Sequence, residues 1–440
     1  MCIANLRLSP LPIKIPLCTI SENKKSLNLY KSVFRGDSLF LKKKFMKTTK
    51  GVLYLIFPFF IVSCLENKQA ENDVAFIDVT KTYSEKEIFL TDIASVDYLY
   101  LNSDDDDYLY SGTISYLTKN TVVVYSHISG DILFFTREGN PKSCFNHKGQ
   151  GPGEYINAHR VFYDEETDDV FITDFMKTNI LVYSSSGDFK RNILLPQETR
   201  TGNDVVSYDD FSFFFYDVNS ERKRLVSAQN GLSSDELVAP FFLISKIDGE
   251  VLDYLELPLT PVYLGINWNG TRLPAMFKTR LLKSKEGVML CNPESDTVFL
   301  YKKNESLRHV IHKTPLVSST NPMTYLNNCV DMGRYQFMEV FTLRQGDEYP
   351  GEFPVNYYMR DKETGEVIRP KILLPDYKGK EFPISPSSMS FFENELYFEL
   401  DLIEIKQAYY ENKLSGKLKE LVATLNEDED NNVFIMVDFK

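Results

Sequence analysis

The sequence predicts an all-β protein, a six-bladed β-propeller with four-stranded blades and one C-terminal helix before the closing strand. Three observations carry this. A unit of two apolar strands and a glycine turn recurs along the body at intervals of about 48 to 62 residues, within the range of propeller blades. Aromatic residues are abundant, with 32 Phe and 26 Tyr against a single Trp, and such side chains fit pleated, half-buried surfaces. Finally, both ends of the body supply strands able to close a ring.

The repeat is clearest when VVVYSHISGDILFFTREG (122–139) is set above VFITDFMKTNILVYSSSG (170–187), which align without a gap. VMLCNPESDTVFLYKKNE (288–305) falls into the same register further on, and FFLISKIDGEVLDYLEL (241–257) supplies a copy between them. Later copies are VNYYMRDKETGEVIRPKILL (355–374) and MSFFENELYFELDLIEI (389–405), the latter read as a strand pair. Six units result. VDYLYL (96–101) and NVFIMVDF (432–439) are the expected closing strands, because a radial fold protects its edges by joining the first blade to the last. Between them, 406–425 has apolar residues at three- and four-residue steps and reads as a single helix ended by the acidic run NEDEDNN.

The front of the chain differs in kind. Residues 1–64 hold 11 Lys/Arg and 2 Asp/Glu, which leaves the rest of the chain at −22 although the whole is only −13. So acidic a body repels nucleic acid, which excludes that partner class. Met46 opens a short basic region with Lys47 and Lys50, followed by an apolar run, 51–62, too short to span a bilayer but suited to a signal-peptide core. The run ends in Ile61-Val62-Ser63-Cys64, which resembles a bacterial lipobox with Cys64 as the lipidated residue. Residues 1–45 then read as a start-site artefact, 46–63 as a lipoprotein signal peptide, 64–95 as an N-terminal tether and extension, and 96–440 as the propeller. Cys144, Cys291 and Cys329 of the body are too widely spaced for a disulfide framework or a zinc pattern, and one pair remains open.

GQGPGEY (149–155) has the glycine content of a phosphate loop. Its spacing fits neither a dinucleotide fingerprint nor a P-loop, and strands follow it instead of a helix. Gly149, Gly151, Pro152 and Gly153 therefore read as a structural linker from the outer strand of one blade to the inner strand of the next, a crossing that needs tight, sometimes left-handed backbone, which glycine supplies and proline stiffens.

The run GQGPGEYINAHRVFYDEETDDVFITDFMKTNILVYSSSGDF is similar to an NHL-type propeller repeat. Together with the lipobox, it resembles the six-bladed β-propeller lipoproteins of Gram-negative bacteria. That resemblance implies a lipid-anchored, outer-membrane protein of the cell envelope, and it implies no particular chemistry.

Direct signals for chemistry are sparse. The chain has five histidines, and in H-x-x-H the spacing sends His309 and His312 to opposite faces of a strand. Asp104–Asp107 lacks the pattern of a calcium loop, and no nucleophile elbow or zinc motif is present. No metal or cofactor is expected. His159, Arg160, Arg280 and Arg334 lie near expected inner-strand starts, where a propeller presents side chains to its channel. The expected function is a non-catalytic binding or interaction module, a monomer holding an envelope protein or a glycan. The alternative is a propeller lyase or hydrolase using a metal at the channel mouth.

Overall fold

The computed structural model describes residues 74–103, 108–174, 177–196, 204–217, 220, 240–255, 257, 265–268, 271–274, 281–293, 295–343, 354–426 and 430–439. They form an all-β six-bladed propeller with mostly four-stranded blades. Blade 1 is Gly112–Leu117, Thr121–Ser126, Ile132–Thr136 and Pro141–Phe145. Blade 2 is Ala158–Asp164, Asp169–Asp174, Asn179–Tyr183 and Phe189–Leu194. Blade 3 is Asp204–Ser207, Ser212–Tyr216, Phe241–Ser245 and Val251–Leu255. Blade 4 runs Leu281–Ser284, Gly287–Leu290, Thr297–Tyr301 and Arg308–Thr314. Blade 5 runs Met323–Met332, Tyr335–Leu343, Val355–Asp361 and Val367–Leu374. The aligned segments 122–139 and 170–187 are thus the second and third strands of consecutive blades.

Blade 6 is built from both ends. Phe391–Phe392, Glu395–Leu400 and Val433–Phe439 are completed by Ala94–Tyr100, which pairs antiparallel with the last strand from Val433↔Tyr100 to Phe439↔Ala94. The two expected closing strands therefore pair with each other. Part of the segment expected as a tether is also folded. Ala75–Asp78 adds in parallel to the outer strand of blade 4, and Glu85–Phe89 to that of blade 5.

Aromatics form the packing between blades. In Ser212–Tyr216 every residue is buried, and alternate side chains face opposite neighbours. Phe213 and Phe215 join the core shared with blade 2, where Phe213 meets Phe171 edge-on at 5.2 Å. Phe214 and Tyr216 join the core shared with blade 4, where Phe214 stacks on Tyr301 at 5.0 Å. A strand buried on both faces reads as a continuous apolar run, which explains the FFF of blade 3.

One helix was expected over 406–425; two are present, Leu402–Tyr410 and Gly416–Thr424. The first begins earlier because Asp401 caps it, its carboxylate accepting the Glu404 N–H at 2.9 Å. The stretch DLIEI is therefore helix, not strand. It ends at Asn412, whose φ of 57° is left-handed and stops helical propagation. Both helices lie between the second and third strands of blade 6.

The segment GQGPGEY lies between the outer strand of blade 1 and the inner strand of blade 2. None of its glycines lies in the left-handed region. The need is for space: a Cβ on Gly149 would sit 2.0 Å from the Glu154 carboxylate, which accepts the Gly151 N–H at 2.8 Å. Buried Tyr155 anchors the loop by donating to the Gly130 carbonyl at 2.6 Å. Asp174, ending the second strand of blade 2, accepts the N–H groups of Ile156 and Asn157 at 2.6 and 3.1 Å and guides the linker into the inner strand.

Left-handed backbone occurs instead between third and fourth strands, at Gly139, Gly187, Gly249, Asn304 and Gly365. At Gly139 there is a second constraint, since a Cβ would lie 2.0 Å from the Tyr100 carbonyl of the closing strand; at Gly365 nothing lies within 4 Å. Gly365→Ala is expected to cost about 1 kcal/mol, the left-handed penalty alone. Gly139→Ala is expected to cost more than about 2 kcal/mol by denaturant unfolding, since it also pushes the ring closure apart. Equal losses would show that the Tyr100 contact yields freely.

Candidate functional site

The inner strands enclose a cavity of about 520 Å³ in the central channel. Its wall takes Tyr116 from blade 1, Arg160 and Phe162 from blade 2, Ser207 from blade 3, Lys283 from blade 4, and Ser387, Phe392 and Glu393 from the approach to and start of blade 6. Pairing of the inner and second strands within each blade, and the aromatic layers between blades, hold these side chains at the axis. Tyr116 shows how: its ring meets Phe162 edge-on at 5.6 Å and Phe392 at 6.4 Å, bridging three blades.

The charged residues are largely paired across blade boundaries. Arg160 lies 3.4 Å from Asp204, whose other oxygen accepts the Leu281 N–H at 2.8 Å. This joins the inner strands of blades 2, 3 and 4. Arg137 contacts Glu395 at 2.5 Å, and Lys283 lies 3.8 Å from Glu393. Exposed Lys119, at the rim, makes no ion pair among the described residues. Both signs of charge, set among aromatic faces, suit a polar ligand with hydroxyl or carboxylate groups.

Of the residues singled out in the sequence, Arg160 lines this cavity. His159, on the same strand, is half-buried and is not among the lining residues. Arg334 sits on the turn between the first two strands of blade 5. There it holds Asp361 through Nε at 3.1 Å and Nη2 at 2.5 Å, and Glu363 at 2.8 Å. Arg280 and Cys64 lie outside the described residues, as does Asp104–Asp107. His309 and His312 correct the expectation of opposite faces. A bulge between Val298 and Phe299 pairs His312 with Thr297 and His309 with Phe299, so both histidines share a face. They pack apart nonetheless, His309 on Phe299 and His312 on Phe76. Cys291 and Cys329 are buried and not joined by a disulfide, and the Cys329 N–H lies 3.2 Å from the Cys291 sulfur.

Two buried groups, each hydrogen-bonded to a serine that lines the cavity, have no motif in the sequence. Lys246 follows the third strand of blade 3 and is only 7% exposed. Its ammonium donates to the Ser207 hydroxyl at 2.9 Å and lies over the rings of Phe213 and Phe171, at 5.2 and 5.9 Å. Buried Lys313, by contrast, has the Asp296 carboxylate at 3.0 Å. Burial pulls Lys246 down to about 8, Asp164 opposing and Lys283 adding to the shift. Glu339, 5% exposed on the second strand of blade 5, is the converse case. Burial pushes its carboxyl upward, and hydrogen bonds from Ser387 and Asn327 oppose this. The signal for both was a lone charge in or beside an apolar run: Glu339 within 335–343 and Lys246 after 241–245.

Lys246 has a definite consequence for stability. The unfolded chain keeps this proton up to the ordinary lysine range, while the native state releases it near pH 8. Between those values the unfolded state binds more protons, so native stability rises with pH by on the order of 3 kcal/mol from this group. Denaturant midpoints from pH 7.5 to 10.5 should show this rise in the parent chain relative to Lys246→Met. Parallel curves would mean that the amine finds a counter-charge.

A family model described as a 6-bladed beta-propeller matches residues 65–247 of the chain. No match is found among curated proteins. Among solved structures, the chain is similar to a putative exported protein from Bacteroides fragilis, at 16% identity and a TM-score of 0.54, covering 83% of this chain and 99% of that one. A member of the duf4221 family from Bacteroides vulgatus aligns over 79% of this chain and 97% of its own, at 13% identity and a TM-score of 0.40. At such identities the first likeness concerns the fold alone, and the second carries no argument. The fold established by the strand pairing is thus shared with the Bacteroides fragilis protein over 83% of this chain.

Proposed function

We propose that the chain is an exported, lipid-anchored protein of the cell envelope whose propeller binds a short glycan segment non-catalytically in its central channel.

 The observation that carries the reading is the cavity: about 520 Å³ of channel, walled by aromatic rings and by charges of both signs. Such a chamber is the size of a small ligand site and admits sugar rings, but not a folded partner. Aromatic faces suit the apolar faces of sugars, while Arg160, Lys283 and Glu393 offer hydrogen bonds to hydroxyls or carboxylates. The lipobox-like Ile61–Cys64 supports the anchor, and the description of the Bacteroides fragilis protein as exported supports the address.

The test is a glycan array probed with the full-length lipidated chain in detergent, followed by titration of the best ligand. Arg160→Gln is expected to weaken binding roughly tenfold, the effect of losing one charge-assisted hydrogen bond. No glycan bound, with a folded protein co-purifying in equal amount, would move the function to the loop faces. Separately, Cys64→Ala is expected to lose the mass of the acyl chains and leave the membrane fraction. Retention with unchanged mass would refute the anchor.

A further inference from the structure

The charges of the channel cavity run against those of the chain around it. The body of the protein is strongly acidic, yet the residues lining the cavity include four cations, Lys119, Arg137, Arg160 and Lys283, and two carboxylates, Glu393 and Glu395. The signs are also segregated. Blades 1, 2 and 4 supply the cations, whereas both carboxylates come from blade 6. A recessed wall with an excess of one sign concentrates ligands of the other.

The carboxylates are already engaged. Glu395 is held by Arg137 at 2.5 Å and accepts the Tyr397 hydroxyl at 3.0 Å, and Glu393 lies 3.8 Å from Lys283. Two of the cations keep donors to spare. The ammonium of Lys119, on the turn between the first two strands of blade 1, has no partner among the described residues. Arg160 reaches Asp204 through Nη2 alone, at 3.4 Å, which leaves Nη1 and one N–H of Nη2 open. Access favours the cation of that pair, since the Arg160 side chain is 40% exposed and that of Asp204 only 3%. A ligand in the cavity therefore meets the guanidinium, a planar donor fork that matches an oxyanion. The placement along the channel is equally specific. Four antiparallel strands return the chain to the end where it began, so the inner strands of blades 1 and 2 run the same way. Arg160 precedes Phe162 by two residues on one, sharing its face, and Lys119 follows Tyr116 by three residues at the end of the other. The Tyr116–Phe162 ring pair, 5.6 Å between centroids, thus lies between the two cations along the axis.

We infer that the cavity selects an acidic glycan, one whose sugars carry carboxylate or sulfate groups, with Arg160 and Lys119 as its two anion contacts and the Tyr116–Phe162 rings as the surface between them. This rests on the glycan reading and names its ligand class. A neutral sugar offers the cations hydroxyls only, whereas an anion at Arg160 gains charge-assisted hydrogen bonds. The carboxylates of blade 6 repel the same anion and so direct it towards blades 1 and 2.

The test adds two matched probe pairs to the glycan array, titrated into the full-length lipidated chain in detergent. Trigalacturonic acid and its methyl ester share ring, linkage and length and differ in charge; sulfated and unsulfated galactotriose form the second pair. At least one acidic member should bind ten times more tightly than its neutral partner, and which one does so separates carboxylate from sulfate. Lys119→Gln should weaken the acidic member about threefold, the size of an exposed ion pair, and leave the neutral member unchanged. Lys302→Gln removes the same charge at the ion pair with Glu305, away from the cavity, and should alter neither. Lys119 is exposed, so its substitution leaves the fold intact. Neutral members that bind as tightly as their acidic partners overturn the inference, as does acidic binding that is indifferent to Lys119→Gln. An array whose strongest ligands are uncharged overturns it too and leaves the glycan reading standing. An array on which no glycan binds removes both.

Discussion

The antiparallel pairing of Ala94–Tyr100 with Val433–Phe439 is the contact on which the ring depends. It joins residues more than three hundred positions apart, so its loop-closure entropy must be met by the interactions that accompany it. Those interactions are concentrated at one end of the pair. Asn431 donates to the carbonyls of Leu101 and Tyr108 at 2.9 and 3.0 Å, and accepts the Tyr110 N–H at 3.1 Å. Asp430 accepts from the Tyr100 hydroxyl at 2.5 Å, and burial together with this bond raises the phenol to about 12. The N-terminal stretch also lays Ala75–Asp78 on blade 4 and Glu85–Phe89 on blade 5 before reaching blade 6. One continuous piece of chain therefore ties three successive blades.

Closure has its consequence at the axis. Each blade needs two neighbours to bury both faces of its middle strands, and the layered rings of Phe171, Phe213, Phe214 and Tyr301 set the distances between blades. Inner strands positioned in this way bring one or two polar residues apiece from blades 1 to 4 to a common chamber. Arg160, Asp204 and the Leu281 N–H form one such junction across three blades. A strand slipped by one residue would turn these groups away from the channel and expose its aromatic face.

The wall of the channel also holds groups that packing alone does not favour. Among the described residues Lys246 has no carboxylate and Glu339 no cation within ion-pair distance, and both are buried where apolar side chains of similar size would be more stable. Elsewhere the same protein pairs its buried charge, as in Lys313 with Asp296. Departures of this kind gather where a fold meets its ligand, and here both lie behind serines, Ser207 and Ser387, that line one cavity.

The features that were legible in the sequence are those determined locally. Period-two apolar runs, a residue able to adopt left-handed backbone after the third strand of blades 1 to 5, and two unpaired terminal strands suffice to count blades and to close them. Arg160 was legible too, because it follows the linker into an inner strand. Other outcomes required the tertiary structure. The break at Asn412 depends on a backbone conformation that helical spacing does not reveal. The shared faces of His309 with His312, and of Asn327 with Asn328, arise from bulges that shift strand register. The meeting of Ser387 with Glu339, and of Ser207 with Lys246, joins residues 48 and 39 positions apart. A sequence specifies which face of a strand each residue takes while the alternation holds. Which residues meet at the axis is decided only when the blades are packed, the register is locally shifted and the ring is closed.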